Sequence, residues 1–381
     1  MQVYGIIVRL DMFEGTVSIV RVILTGGGTG GHIYPALSML EAIKEKYPDS
    51  TFLYIGTPNG LEANIVSNYG VDFKTVKVSG IKRSFSFENF KTLYHFVTSI
   101  SVAKKYIKEF KPDLVIGTGG YVCGPVVYAA SKLKIKTIIH EQNSYPGITN
   151  KFLARYVDRI LICFDEAKKY FPNEKTFLTG NPRASEVVKT LKLGKTSLSL
   201  NPHKKTILIS GGSRGAKPLN EAVKSIIPLI EKSDFQVVFV TGAVHYDGIC
   251  EDIKALNNLK NVIIKPFIEE MPKYLTTVDL FVGRAGASTI AEITALGVAS
   301  ILIPSPYVAE NHQEFNALSV VKPGGGIMIL EKDLTGEYLL EIITNLFSDE
   351  QKLTSMKLNA KEQGIPDATC RILSIIDTLV N

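Results

Sequence analysis

The chain has 381 residues, 45% hydrophobic and 21% charged, with a formal net charge of +6. That length and balance point to two or three domains with ample core and exclude a disordered or fibrous chain. The modest positive charge suits an anionic ligand or an acidic membrane surface but not nucleic acid, which is not expected as a partner.

Residues 1–20 lack a basic start and a continuous apolar run, so they read as an N-terminal extension and not as a signal peptide. The first clear unit is Arg21 to Pro35, RVILTGGGTGGHIYP. Val22-Ile23-Leu24 predicts a buried strand, the glycines a turn, and Ala36 to Ile43 an amphipathic helix. Strand, glycine turn and helix together aim the free amides of a first helical turn at an anion. Gly26, Gly28 and Gly31 also fit a dinucleotide fingerprint by letter. The second strand, Thr51 to Thr57, ends in Gly56-Thr57-Pro58 without the acid that holds a ribose in such a site, which argues against a nicotinamide cofactor.

Ser79 to Phe96 interleaves Ile81, Lys82, Arg83, Phe85, Phe87 and Phe90. Rings that enter a lipid interface beside cations that meet phosphates make a membrane patch; the same spacing also fits a helix with its aromatics on the core. Asp113 to Pro125 predicts another strand and glycine turn, and Lys136 to Gly147 a strand ending in His140-Glu141-Gln142-Asn143. Strands at 159–164 and 176–182 complete this half, and a linker is expected at about 183–204.

The pattern then restarts. Lys204 to Val223 again reads strand, glycine turn and helix, with Ser210-Gly211-Gly212-Ser213-Arg214-Gly215 as the turn. Phe235 to Gly242 parallels Thr51 to Thr57, and Asp279 to Gly286 parallels Asp113 to Gly120. Two doubly wound α/β halves in tandem explain this repeat, and the cleft between them is the expected ligand site. In the second half, Ser213 and nearby amides suit a diphosphate, Ile268 a planar base, the Ala287 to Glu292 run a phosphate and a ribose, and Gln313 sugar hydroxyls. The uncharged stretch 293–309 contains Gly297, Pro304 and Pro306 and reads as helix, turn and buried strand, not as a membrane span. The tail from Lys352 onward reads as helical and long enough to cross back over the first half.

The four cysteines are scattered without a C-x-x-C pair, which argues against a zinc site or disulfides and for a reducing cytoplasm. No D-x-D occurs, so a metal held on a diphosphate is not indicated; no metal or cofactor is expected. A nucleotide-sugar transferase, a dinucleotide oxidoreductase and a non-catalytic nucleotide-sugar-binding protein are the readings these residues leave open.

GGGTGGHIYPAL, HEQN, TGNP, GGSRGA, GRAGASTIAE and ENHQEFNA, in this order, resemble the MurG family, the UDP-N-acetylglucosamine transferases that convert lipid I to lipid II in peptidoglycan synthesis. The resemblance runs over nearly the whole chain from Arg21. It implies a GT-B fold, two Rossmann-like parallel-sheet domains facing a cleft. The acceptor and membrane domain would span 21–183, with a C-terminal helix at about 361–381 packed back on it, and the donor domain 184–360. It implies a peripheral enzyme on the cytoplasmic face of the membrane. Its partners would be UDP-N-acetylglucosamine, undecaprenyl-linked lipid I, an anionic inner-membrane surface and other wall-synthesis or division proteins. Another UDP-sugar transferase or an epimerase of this fold is the nearest alternative.

Carried over by position, Thr29, Gly30, Gly31, Asn143, Ser213, Ile268, Ala287, Ser288, Thr289, Glu292 and Gln313 would contact the donor. Arg183 stands one residue before an arginine that some members carry and is the candidate for that contact. An α-linked donor giving a β-linked product requires a single inverting displacement, with a base at the acceptor hydroxyl. His32 is the first choice, because the positive end of a helix disfavours a second positive charge on its ring. Glu141 is the second choice for the base, or would orient the acceptor sugar.

Overall fold

The computed structural model of the chain describes residues 20–78, 87–191, 201–256 and 258–380. The first half runs β1 (Arg21–Thr25), α1 (Gly30–Lys46), β2 (Thr51–Gly56), α2 (Leu61–Ser67), β3 (Asp72–Thr75), α3 (Phe87–Phe110), β4 (Leu114–Gly117), α4 (Cys123–Lys132), β5 (Lys136–Glu141), α5 (Ile148–Leu153), β6 (Arg159–Ile162), β7 (Thr176–Leu178) and α6 (Pro182–Leu191). The second runs β8 (Lys205–Ser210), α7 (Lys217–Ile230), β9 (Phe235–Val240), α8 (Ala243–Asp252), β10 (Val262–Lys265), α9 (Met271–Leu275), β11 (Leu280–Gly283), α10 (Ala287–Leu296), β12 (Ala299–Leu302), α11 (His312–Val321), β13 (Gly326–Met328), α12 (Gly336–Ser348), α13 (Glu350–Gln363) and α14 (Ala368–Val380).

Each half is built on one parallel sheet. The strand orders are β3-β2-β1-β4-β5-β6-β7 and β10-β9-β8-β11-β12-β13. Parallel strands carry helices on both faces, so their side chains are buried on both sides. In β1, Val22 and Leu24 face a core shared with α1, while Ile23 faces the core under α4. In β8, Ile207 and Ile209 face α7 and α12, and Leu208 faces α10. Both orders reverse next to the first strand of the half, between β1 and β4 and between β8 and β11. Loops at such a reversal diverge and leave a crevice at the carboxyl ends of the strands.

Two segments join the halves. The stretch expected as a linker opens with α6, so the expected boundary at 183/184 falls in that helix's first turn. Asn181 caps α6, its Oδ1 accepting from the Arg183 amide at 3.1 Å, and Pro182 leads the helix. Ala184 and Val187 bury against Ala295 of α10 and Ala368 of α14. That apolar face has a partner only once both halves are folded, so linker composition alone concealed it. The chain then returns: Ile372 and Ile376 of α14 enter the same core as Val22, Leu24 and Ile33 of the first half. Each such buried side chain contributes about 1.5–3 kcal/mol. The uncharged 293–309 stretch is the end of α10, a left-handed Gly297, β12 and a loop. Among the described residues no helix is long and apolar enough to cross a membrane.

Candidate active site at the cleft between the sheets

The loops after β1 and β4 touch. The Gly27 amide donates to the Gly119 carbonyl at 3.2 Å, and the buried Cys123 thiol donates to the carbonyls of Thr25 (3.0 Å) and Gly119 (2.9 Å). Burial pushes that thiol up to about 12, so it stays a neutral clip between the loops. His32, in the first turn of α1, rests on this platform. Its Nδ1 lies 3.0 Å from the Gly27 carbonyl, which can only accept, so Nδ1 carries a hydrogen and Nε2 is the ring nitrogen that can accept in the neutral tautomer. Thr118 Oγ1 donates to the His32 carbonyl at 2.7 Å. The ring packs against Gly119, whose φ is +113° and where a Cβ would come within 2.7 Å of the ring's Cδ2.

The first glycine turn departs from an open anion cradle. Glu62 of α2 is fully buried beneath it and accepts from the amides of Gly28 (3.1 Å) and Thr57 (2.9 Å) and from Thr57 Oγ1 (2.7 Å). A phosphate at the Gly28 amide would meet a carboxylate already there. The amides at Gly30 and Gly31 open α1 after its N-cap Thr29, where a helix has no partner of its own to offer them.

Glu141 ends β5, almost fully buried. Oε1 accepts from the Asn143 amide (2.9 Å) and Asn143 Nδ2 (3.2 Å), and Oε2 from the Gly147 amide (3.0 Å) and Asn150 Nδ2 (2.9 Å). Four donors occupy both oxygens, so a carboxylate offered by sequence as a second base is engaged in shaping the loop 143–147. Asn143 stands at that loop's cleft edge, half-buried.

In the second half, Ser213 is exposed at the tip of the turn after β8. Ile268 is buried beyond the end of β10, with exposed Phe267 beside it. Ala287, Ser288 and Thr289 form the first turn of α10, where amides have no helical partner. Ser288 Oγ is buried and has no hydrogen-bond partner among the described residues, which suits a hydroxyl awaiting a ligand. Gln313, in the first turn of α11, accepts the Ser305 amide on Oε1 at 2.9 Å, which fixes the amide and directs its Nε2 donor. Beside it, His312 donates Nδ1 to the Ala309 carbonyl at 2.7 Å; burial lowers its pKa, and its electrostatic neighbours include Glu141 and His32. The ends of α1, β5 and α11 thus converge on one cleft.

Arg183, the candidate donor contact, is engaged by carboxylates of the protein itself. Its Nε and Nη2 both donate to Glu292 Oε1, and Nη1 pairs with Glu186.

Comparison with known proteins matches this arrangement. The profile of the glycosyltransferase family 28 N-terminal domain fits residues 22–162 and that of the family 28 C-terminal domain residues 206–372. UDP-N-acetylglucosamine--N-acetylmuramyl-(pentapeptide) pyrophosphoryl-undecaprenol N-acetylglucosamine transferase of Bacillus pumilus is 54% identical over 358 residues, covering 93% of this chain and 98% of that protein. The protein of the same name from Bacillus licheniformis is 54% identical over 361 residues, covering 94% and 98%. The crystal structure of MurG from Acinetobacter baumannii matches with a TM-score of 0.75 at 28% identity over 94% of this chain and 99% of that one. The chain belongs to the MurG family of glycosyltransferases. A UDP co-structure of MnaA from S. aureus, at 16% identity and a TM-score of 0.70, shares the fold.

In this MurG-family chain several contributors carried no sequence signal strong enough to single them out. Thr118 and Gly119 hold His32 from a loop 86 residues away, and Glu62 holds Gly28 from 34 away. Asn316 lies inside a quoted motif but was inseparable there from an ordinary helix residue. Of the expected membrane patch, Ile81, Lys82, Arg83 and Phe85 lie outside the described residues, and Phe87 and Phe90 lie in the first turns of α3. Farther along α3, Tyr94 and Val97 are exposed. Phe96 meets Phe152 of α5 edge-on at 6.2 Å, and Phe152 leads on to Tyr128 and Tyr156. Lys132 Nζ sits 5.1 Å over the Tyr128 ring and 4.9 Å over Tyr156.

Proposed function

We propose that this chain transfers N-acetylglucosamine from UDP-N-acetylglucosamine to the 4-hydroxyl of the muramyl sugar of undecaprenyl-diphospho-N-acetylmuramyl-pentapeptide, converting lipid I to lipid II at the cytoplasmic face of the membrane. The observation that carries this reading is 54% identity across 98% of the length of a transferase of that printed name. The cleft chemistry agrees with it. Ile268 flanks the base, Glu292 accepts from ribose hydroxyls, and the amides at Ala287 to Thr289 with Ser288 Oγ and the Ser213 turn take the diphosphate. The transferred sugar lies between Gln313 Nε2 and Asn143, with Thr29, Gly30 and Gly31 closing the site from the first half.

Reaction is one inverting displacement at the anomeric carbon. His32 Nε2 accepts the acceptor hydroxyl's proton, because Nδ1 is held as a donor by Gly27. The leaving UDP gathers charge at its diphosphate, where fixed amides of a helix N-terminus stabilise it; such donors are commonly worth about 10²–10³ each in rate. Glu141 keeps the loop in shape and takes no proton. The aromatic and basic face of α3 to α5 lies on the anionic membrane, rings in the interface and Lys132 toward phosphates.

UDP release from UDP-N-acetylglucosamine in EDTA, with and without a lipid I analogue, tests the reading. Acceptor-dependent release in chelator is the expected result. Tight UDP binding with no release would favour a binding protein or a different acceptor, and the lipid assignment would be withdrawn.

A further inference from the structure

Asn316 of α11 is fully buried, and its four hydrogen-bonding positions are all engaged. Oδ1 accepts from the Ser144 amide (2.9 Å) and from Ser144 Oγ (3.1 Å). Nδ2 donates to Asn143 Oδ1 (3.1 Å) and to the Ala285 carbonyl (3.3 Å). Asn143 and Ser144 belong to the loop after β5 of the first sheet, and Ala285 to the loop after β11 of the second. One side chain therefore ties the two cleft walls together. One helical turn before it, Gln313 faces the same cleft, and on the preceding residue the Phe315 ring stacks on Tyr145 at 5.2 Å.

The bond to Asn143 sets more than distance. With its carbonyl oxygen on Asn316 and one N–H on Glu141, the Asn143 amide has a single orientation, and its remaining N–H points in a fixed direction. An aspartate in place of Asn316 would keep both Ser144 bonds but turn an oxygen toward Asn143 Oδ1 and the Ala285 carbonyl. We infer that Asn316 is a positioning residue: it orients the Asn143 amide toward the transferred sugar and pins the β5 loop to the donor half. This rests on the reading of Asn143 as a sugar contact on the half opposite the nucleotide.

The test compares Asn143→Ala, Asn316→Ala, the double variant and wild type, binding UDP and UDP-N-acetylglucosamine by calorimetry. Asn316→Ala should weaken the sugar nucleotide about tenfold or more, the scale of a lost orienting hydrogen bond, and leave UDP within about twofold. The double variant should be no worse than Asn143→Ala alone, because both act through one contact. Equal weakening of UDP and UDP-sugar, or losses that multiply in the double variant, would overturn the inference. Should Asn316→Ala not fold, Asn316→Asp and Ser144→Ala replace it, and Asn316→Asp with wild-type sugar-nucleotide affinity would overturn it equally. Wild type that binds the donor but does not turn over with the lipid analogue would withdraw the acceptor assignment alone. Wild type that binds no UDP-sugar would remove both.

Discussion

Arg183 Nη2 lies 2.7 Å and Nε 2.9 Å from the same oxygen, Oε1, of Glu292. The pair joins α6 to α10 and engages the arginine inside the protein. Burial raises the Glu292 carboxyl, and the Arg183 charge beside it opposes that rise. Glu292→Gln should cost about 10–100-fold in UDP affinity, the value of charge-assisted bonds to ribose hydroxyls. Arg183→Gln should change UDP affinity by only a few fold yet lower unfolding free energy by about 1–3 kcal/mol. That is less than the ~3–5 of a fully buried pair, because 23% of the Arg183 side chain remains exposed. Calorimetry with urea unfolding checks both; an Arg183 variant as weak for UDP as the Glu292 variant would put its guanidinium on the nucleotide.

His32 and Gly119 form the second testable pair. Replacing His32 by Ala should reduce turnover about 10²–10⁴-fold with UDP affinity little changed. Gly119→Ala should damage turnover without removing the histidine, since the added methyl occupies the ring's place and φ at +113° strains any side chain. Steady-state kinetics on the two variants decide this. Turnover within a few fold of wild type for His32→Ala would end its role as the base.

Stability should fall on the acid side for an identifiable reason. His140 is fully buried; Nε2 donates to the Gly180 carbonyl (3.1 Å) and Nδ1 accepts from Gln142 (2.9 Å). A second proton would confront the Gln142 donor in a dry site, and burial lowers the ring from 6.5 to about 4 against the pull of Gly180. The unfolded chain therefore takes up this proton first. The contribution is complete above about pH 6.5 and is lost as pH falls toward 4, by roughly 1.4 kcal/mol per pH unit at most. Urea unfolding between pH 7 and 4 should show this slope, and His140→Gln should flatten it.

Membrane binding should depend on the aromatic face. Phe152→Asp with Lys132→Glu should weaken binding to anionic liposomes by about tenfold or more. A ring is worth about 1.5–3 kcal/mol, and each basic side chain about 1 on anionic lipid. Cosedimentation measures it, and activity on a soluble acceptor should be retained. Loss of that activity as well would assign these side chains to the core.

Two α/β halves, their glycine turns and the strand ends that carry His32, Glu141 and the α10 run were legible from residue order alone. Strands buried on both faces must be short and apolar, and turns that reverse sharply need glycine, so both leave local marks. The roles of individual polar side chains were decided by tertiary structure. Glu62 reaches Gly28 across 34 residues, Glu292 takes Arg183 across 109, and Asn316 takes Asn143 across 173. Nor does an isolated sequence reveal that Glu141 is enclosed by four donors, or that α6 is a helix whose apolar side rests on α10 and α14. A hydrogen bond or a buried face needs a partner brought by the folded sheet, and the chain's spacing carries no record of which partner that is.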